Sequence, residues 1–307
     1  MKKRLRIFTL FCILILCFAQ ISCFEGKEHD GKISIITTVF PAYDFAKQIV
    51  GQASNISVTM LLPPGTESHS YEPSPKDIIN IQKCDLFIYV GGESESWVEK
   101  IIKSLDRKPM ILKLVDCVPF NDNHEKSEKH DHNDYDEHVW TSITNAILIT
   151  EKIKDAICKI DEENKEKYNE NCSLYCKKLS KLKDDFSQML ETKENKLLVF
   201  GDRFPFKYFA EEFGLNYLAA FPGCSAETEP DAATIARIID TINEKKIKAV
   251  FHIEFSNKNI AKILSDETGC EIRLFHSCHN VTEEEIAAGV SYISLMTENL
   301  NTLKEVL

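Results

Sequence analysis

Several motifs of enzymes and of nucleic-acid-binding proteins are missing from this sequence of 307 residues. It has neither an HExxH motif, which binds zinc in many metalloproteases, nor a GxSxG turn, which presents a nucleophilic serine. It also lacks the paired CxxC motifs of zinc ribbons. Basic residues are scarce, because 37 Lys and Arg stand against 48 Asp and Glu, giving a formal charge of −11. A nucleic-acid partner would favour a basic surface. The sequence therefore predicts neither an enzyme nor a nucleic-acid-binding protein.

The N-terminus lacks an apolar run long enough for a transmembrane helix, which needs about 20 residues. Its apolar run at residues 7–19 follows four basic residues, a pattern typical of a secretory signal. A small residue and then Cys23 follow, which predicts a bacterial lipoprotein whose mature chain begins at a lipidated Cys23. Gln20 stands where leucine is usual, so an ordinary signal peptide with an unrelated cysteine is the alternative. We expect a signal peptide at 1–22, a tether at 23–31 and an extracytoplasmic, membrane-anchored protein.

Eight of the eleven cysteines follow Cys23, an even number that export would allow to form disulfides. The sequence does not give their connectivity. Cys172 and Cys176 are four residues apart on a predicted helix, where a bridge within one turn has poor geometry, so we expect them not to pair with each other. A bridge between Cys278 and Cys224 is one possibility.

Short apolar strands alternate with helices along most of the chain, which predicts mostly parallel α/β sheets. The alternation occurs twice, before and after a long helical stretch. We therefore expect an α/β fold of two lobes, each with a mostly parallel sheet flanked by helices. The predicted strands are residues 33–39, 57–62, 86–90, 110–115, 196–200, 217–221, 249–253 and 271–275.

The long helical stretch spans residues 144–192, with a join near Asp161, which we expect to cap the second helix. The later part has neither Gly nor Pro and would extend for roughly 45 Å. That length suits a rigid helix joining the lobes. A single helix is predicted from Thr282 to the C-terminus, with Thr282 and Glu285 as a capping box. The predicted domains are an N-terminal lobe at 32–160, a linking helix at 161–193 and a C-terminal lobe at 194–307.

Three histidines follow predicted strands or loops at places where open α/β sheets bind ligands. His69 and His138 lie in the first half of the chain, and His276 follows the strand at 271–275. A site shared by the three would lie in the cleft between the lobes. Neutral imidazole is a common zinc ligand. By itself, however, a lone histidine in a loop is more often a surface or capping residue.

The resemblance to a known family is specific. Residues 62–73, LPPGTESHSYEP, and residues 136–140, DEHVW, resemble the ligand motifs of the zinc and manganese substrate-binding lipoproteins of ABC transporters. Residues 85–92 and 292–300 also match the family pattern, so the resemblance spans nearly the whole mature chain. It implies two α/β lobes joined by a long helix, little hinge motion, and a metal held between the lobes by His69 and His138. It also implies a monomer that delivers its metal to an ABC permease.

The second lobe departs from the family pattern. The family places its third ligand, His or Glu, just after the strand at 197–200, where this chain has Gly-Asp-Arg. Asp202 is our predicted oxygen ligand, with a water as the alternative. Arg203 stays charged and has no lone pair to donate. His276 stands where the family often has its fourth ligand, with Cys278 and His279 as nearby alternatives.

The expected metal is zinc, because three nitrogen ligands favour zinc over manganese. Manganese remains an alternative. The polar loop at 121–137 resembles the acidic, histidine-containing loop of zinc-specific members, and would raise the local zinc concentration, although a solvated insertion is also possible. The loop histidines are His124, His130 and His132.

We expect Glu254 to support the site rather than to bind metal. Two other functions remain as alternatives. One is a zinc hydrolase with Glu254 as general base, and the other is an adhesin with a structural metal.

Overall fold

The computed structural model describes residues 32–53, 55–119, 136–221 and 230–307. The predicted signal peptide, the tether with Cys23, and Cys224 lie outside the described residues. So do the three loop histidines His124, His130 and His132. Within the described ranges, no helix is long and apolar enough to cross a membrane.

The first sheet has four parallel strands in the order β2-β1-β3-β4. All four residues of β3 are buried, as expected for a central strand covered on both faces. Each strand is followed by a helix or a short turn, as in other α/β folds with parallel sheets. The elements are β1 (Ile33–Thr37), α1 (Phe40–Val50), β2 (Ile56–Met60), α2 (Pro75–Lys83), β3 (Leu86–Tyr89), α3 (Ser96–Ser104) and β4 (Met110–Lys113).

The second sheet repeats this order as β6-β5-β7-β8, again with parallel pairs only. The predicted α/β class with two parallel sheets flanked by helices is thereby confirmed. The elements are β5 (Leu197–Phe200), α6 (Lys207–Phe213), β6 (Asn216–Ala219), α7 (Ala232–Lys245), β7 (Ala249–His252), α8 (Asn259–Thr268), β8 (Glu271–Leu274), α9 (Glu283–Ala287) and α10 (Tyr292–Val306), with α4 (Ile143–Ile160) and α5 (Lys165–Glu191) between the sheets.

The connecting helix α5 has 27 residues, about 40 Å at 1.5 Å per residue. One contiguous core runs from the first sheet through α4 and α5 to the second sheet. Tyr175 on α5 donates to buried Asp44 at 2.9 Å, and the amide of Tyr292 donates to the same oxygen. Glu212 on α6 accepts the amides of Ile143 and Thr144 at the start of α4. From these contacts we expect the helices that connect the two sheets to form a rigid frame. The lobe boundaries themselves stay a prediction.

Two local expectations were wrong. Asp161 does not cap α5, whose N-cap is Asn164; it ends α4 and its Oδ2 accepts from the Tyr168 hydroxyl at 2.6 Å. The last helix is also interrupted, because Gly289 has φ +76° and ends the short helix α9 before α10 begins. The expected capping box of Thr282 and Glu285 is present at the start of α9.

Candidate metal centre

Four side chains that can bind a metal converge on one point of the structure. They are His69, Glu137, His138 and His279, and one ligand atom from each lies within 4.8 Å of the others. His69 lies in the turn after β2, Glu137 and His138 precede α4, and His279 lies in the loop after β8. The site therefore draws on loops from both halves of the chain. It is largely shielded from water, since the His138 side chain is 1% exposed and that of His69 is 18% exposed.

His138 is oriented by a carboxylate. Its Nδ1 lies 2.6 Å from Oδ1 of Asp136, and its backbone amide donates to the same oxygen at 2.9 Å. Burial raises the pKa of Asp136, but the hydrogen bonds and charge of His138 outweigh burial and leave that pKa below its usual value. An ionised Asp136 holds the Nδ1 proton, so that the Nε2 lone pair is available to a metal.

His279 is oriented by a relay of hydrogen bonds that runs from Glu254 through Ser277. Its Nδ1 lies 3.2 Å from the Ser277 hydroxyl, which donates to Oε1 of Glu254 at 2.5 Å. Glu254 also accepts the amides of Ser277 and His279, at 2.7 and 3.0 Å. Because the hydroxyl donates to Glu254, it accepts the Nδ1 proton of His279 and leaves Nε2 as the metal-binding atom. Glu254 thus supports the site, as expected from the sequence.

Trp140 fixes the two imidazoles from the side. Its ring lies 5.4 Å from that of His138 and 4.8 Å from that of His279, both edge to face. Its Nε1 donates to the Ser277 carbonyl at 2.9 Å, and Tyr292 donates to the Trp140 carbonyl at 2.7 Å. Trp140 is completely buried, so this packing limits rotation of both histidine rings.

The loop that carries His69 is held by the loop that carries His279. The buried amide of Asn280 donates to the carbonyls of Pro63 and Thr66, at 2.7 and 2.8 Å. The amide of Gly65 donates to the Val281 carbonyl at 2.9 Å. The two histidine rings are consequently 5.3 Å apart although 210 residues separate them in the sequence.

Glu137 supplies the carboxylate of the group. Its Oε1 lies 3.6 Å from Nδ1 of His69, and its Oε2 accepts the amide of Ser94 at 3.2 Å. A Cβ at Gly92 would lie 1.7 Å from that Oε2, so only glycine leaves room for the carboxylate. Gly92, which follows β3, therefore allows Glu137 to lie beside the three imidazoles.

His276 and Asp202, two of the residues predicted to bind metal, are not in this group. Nδ1 of His276 accepts the Cys278 amide at 2.9 Å, and its backbone is hydrogen-bonded to Asn299. Both carboxylate oxygens of Asp202 accept backbone amides, from Arg203 and Ile253. Among the described residues, the converging group thus contains His279 and Glu137 but neither His276 nor Asp202.

The sequence contained a signal for one of the two additional residues. His279 lies in the same HSCH segment as His276 and is one of the two alternatives that this segment offers, together with Cys278. The Cys278 thiol is fully buried and is not a member of the group. Glu137 has no such signal, because only its position next to His138 distinguishes it in the sequence.

The surroundings of His69 and His279 favour their neutral form. Burial lowers the pKa of His279 well below its usual value, and the nearby His138, His69 and Arg203 lower it further. Burial also lowers the pKa of His69, with Glu137 opposing the shift and His138 reinforcing it. Neutral imidazole is the form that binds a metal.

Three imidazoles and a carboxylate suit a tetrahedral zinc ion. Zinc binds histidine nitrogen at 2.0–2.1 Å, which separates neighbouring ligand atoms by about 3.3 Å. Small side-chain rotations would bring atoms at most 4.8 Å apart to that spacing. Nitrogen-rich sets are characteristic of zinc, copper, iron and nickel, whereas manganese is bound mainly by oxygen.

Comparisons with known proteins agree with this description. The family model for the zinc-uptake complex component A, periplasmic, matches residues 35–306. The zinc-binding lipoprotein AdcA of Streptococcus pneumoniae R6 is 33% identical over 313 aligned positions, covering 99% of this chain and 61% of that protein. This chain therefore spans about three fifths of the length of that relative. The high-affinity zinc uptake system protein ZnuA of Bacillus subtilis 168 is 31% identical, covering 96% of this chain and 94% of that protein.

A solved structure agrees as well. The Zn(II)-bound ZnuA-like domain of AdcA from Streptococcus pneumoniae superposes with a TM-score of 0.73 at 32% identity, over 90% of this chain and 99% of that domain. These relatives are named for binding and uptake of zinc, not for catalysis, in agreement with the prediction that the chain is not an enzyme. The chain belongs to the zinc-uptake complex component A family.

Proposed function

We propose that this protein is an extracytoplasmic receptor that binds one Zn²⁺ with His69, His138, His279 and Glu137 and delivers it to an ABC-type importer. The observation that carries the proposal is the convergence of three imidazoles and one carboxylate in a shielded site. Zinc is the cargo in this proposal, so it binds reversibly and is released without any chemical reaction at the site. Anchoring through a lipid on Cys23, a monomeric state and capture of zinc by the loop histidines belong to the same proposal.

The ligand set supports zinc over manganese. Only one of the four side chains supplies oxygen, and manganese sites prefer carboxylates, carbonyls and water. The hydrolase alternative loses support, because Glu254 is engaged by two backbone amides and the Ser277 hydroxyl. A carboxylate with these partners is not free to act as a general base on a metal-bound water.

The test is a titration of the metal-free protein with Zn²⁺ and with Mn²⁺, alone and in competition, by calorimetry. We expect one Zn²⁺ per chain and a dissociation constant for Mn²⁺ at least about 100-fold higher, as nitrogen ligands favour zinc. Equal affinity for the two ions would overturn the zinc assignment. Turnover of ester or peptide substrates by the zinc-loaded protein would overturn the receptor assignment.

We expect zinc affinity to resist acid. Because the pKa values of His69 and His279 are lowered, both rings stay neutral below the ordinary histidine pKa of about 6.5. Protons should therefore not compete with zinc for these two rings between about pH 8 and about pH 6.5, and should begin to do so only at lower pH. Zinc titrations across this range check the prediction, and a decline that begins above pH 7 would contradict it.

The metal-free protein provides a second measure of the same pKa shifts. In the unfolded chain these histidines take up protons near pH 6.5, whereas in the folded protein they do so only at lower pH. The contribution of these two histidines to the free energy of unfolding should therefore fall as pH drops below about 6.5 towards the lowered folded pKa values. Urea unfolding in the presence of chelator, compared with that of His279→Ala, measures the part due to His279, and a stability difference that grows in favour of the unaltered protein on acidification would contradict it.

The relay from Glu254 through Ser277 to His279 should strengthen zinc binding. Ser277→Ala removes the hydroxyl that accepts the Nδ1 proton, and we expect a loss of zinc affinity of about 10–100-fold, the usual effect of removing a partner of a metal-binding histidine. Ser265→Ala is the matched control, since it removes a hydrogen bond to the Cys270 carbonyl in the same lobe. Equal zinc affinities for the two variants would refute the positioning role.

A further inference from the structure

An ion pair between two distant parts of the chain lies beside the histidine group without belonging to it. Nη1 of Arg203, in the loop that follows β5, donates to Oε1 of Glu67 at 3.2 Å. Glu67 lies in the turn after β2, two residues before His69. The pair therefore joins the loop that carries His69 to a loop of the second half of the chain, although 136 positions separate the two residues.

The pair lies on the most accessible side of the metal centre. Of the four side chains in the group, His69 is the most exposed, at 18%, so solvent reaches the group mainly beside this ring. A small cavity there is lined by His69 and His279 and also by Glu67 and Arg203. An ion that moves between the solvent and the two imidazoles would therefore pass close to the ion pair.

The Arg203 side chain is largely shielded from water. It is 12% exposed, and the apolar side chains of Pro205 and Phe255 line the same cavity. Its backbone amide donates to Oδ1 of Asp202 at 2.8 Å, which fixes the point from which the side chain extends. Because water screens a shielded charge less, this ion pair should be stronger than a fully exposed one.

The two charges of the pair oppose each other at the metal centre. Burial is the main cause of the lowered pKa of His69, and among the nearby charges Glu67 raises this pKa whereas Arg203 lowers it. The intact pair therefore presents little net charge to an ion beside His69. Its main effect should be on how fast an ion passes, and not on how tightly the ion is held.

We propose that Glu67 and Arg203 form a gate over the metal centre, which opens each time a zinc ion enters or leaves. Opening breaks the ion pair and frees the loop that carries His69 from the loop that follows β5. A gate that closes equally well over the metal-free and the loaded site slows entry and exit by the same factor. The inference rests on the proposed function, since zinc is the ion that passes the gate.

The test measures zinc exchange in a double variant, Glu67→Ala with Arg203→Ala, which removes the pair without changing the net charge. The zinc-loaded protein is mixed with a chromophoric chelator, at concentrations where the observed rate no longer depends on the chelator. We expect the dissociation rate constant to rise by about fivefold, the upper end of the range for exposed ion pairs, because Arg203 is shielded. The equilibrium dissociation constant, measured by competition, should stay within about twofold of that of the unaltered protein.

The matched control is Lys181→Ala with Asp185→Ala, which removes an exposed ion pair on α5 and also leaves the net charge unchanged. Its exchange rates should equal those of the unaltered protein. Unchanged rates in the double variant of Glu67 and Arg203 would overturn the gate and leave the receptor proposal intact. Faster dissociation with an equal loss of affinity would also overturn it, because the pair would then only hold the His69 loop in place. If the unaltered protein bound no zinc, the proposed function would fail, and the gate with it.

Discussion

Replacing His279 with alanine should weaken zinc binding by more than about 100-fold, beyond the 10–100-fold typical of residues that only support a ligand. His279 is 8% exposed, is oriented by Ser277 and lies 4.6 Å from the ring of His138, between centroids. Its loss leaves two imidazoles and one carboxylate, with an open position that water would fill. Competition of the variant against a chelator of known zinc affinity measures the change.

The matched control is His276→Asn in the same loop. Its side-chain carbonyl can accept the Cys278 amide that Nδ1 of His276 accepts now. We expect zinc affinity to fall by less than about 10-fold, the lower limit for supporting residues. If His276→Asn were as damaging as His279→Ala, the assignment of the second-lobe ligand to His279 would fail.

The second large effect concerns the carboxylate ligand. Glu137→Gln keeps the shape of the side chain but removes its negative charge, and we expect zinc affinity to fall at least about tenfold, or ~1.4 kcal/mol. The reason is the attraction between a divalent cation and a carboxylate in a shielded site, where screening by water is weak. Calorimetric titration of the variant checks this result.

Asp202→Asn is the control for that experiment. Both oxygens of Asp202 accept backbone amides, and asparagine can accept only one of them. Leaving one buried amide without a partner should cost about 1–3 kcal/mol in the free energy of unfolding. Zinc affinity should stay unchanged. A loss of zinc affinity in Asp202→Asn with none in Glu137→Gln would return the carboxylate position to Asp202.

The sheets were predictable from the sequence because their strands are short apolar runs bounded by turns. All eight strands occur within two residues of the predicted limits, and the long helix was marked by the absence of Gly and Pro. The break at Gly289 was missed, since one glycine in a helical pattern is often tolerated. Whether it ends the helix depends on its φ of +76°, which the pattern does not contain.

The candidate site was predictable only in part. His69 and His138 follow from motifs in loops at strand ends, and the structure brings them together. Choosing between His276 and His279 required the backbone path, because Cys278 has φ +64° and turns the chain between them. No periodicity applies to such a segment, so the sequence does not tell which ring faces the site. The sequence does not show that Asp202 has hydrogen-bond partners, yet both of its carboxylate oxygens accept backbone amides in the structure.

The most direct test of the central claim is a crystal structure of the zinc-loaded protein with anomalous data collected at the zinc edge. We predict one strong peak among Nε2 of His138, Nε2 of His279, a ring nitrogen of His69 and a carboxylate oxygen of Glu137. A peak bound to His276 or Asp202 instead, or no peak near His69 and His138, would contradict the proposed metal centre.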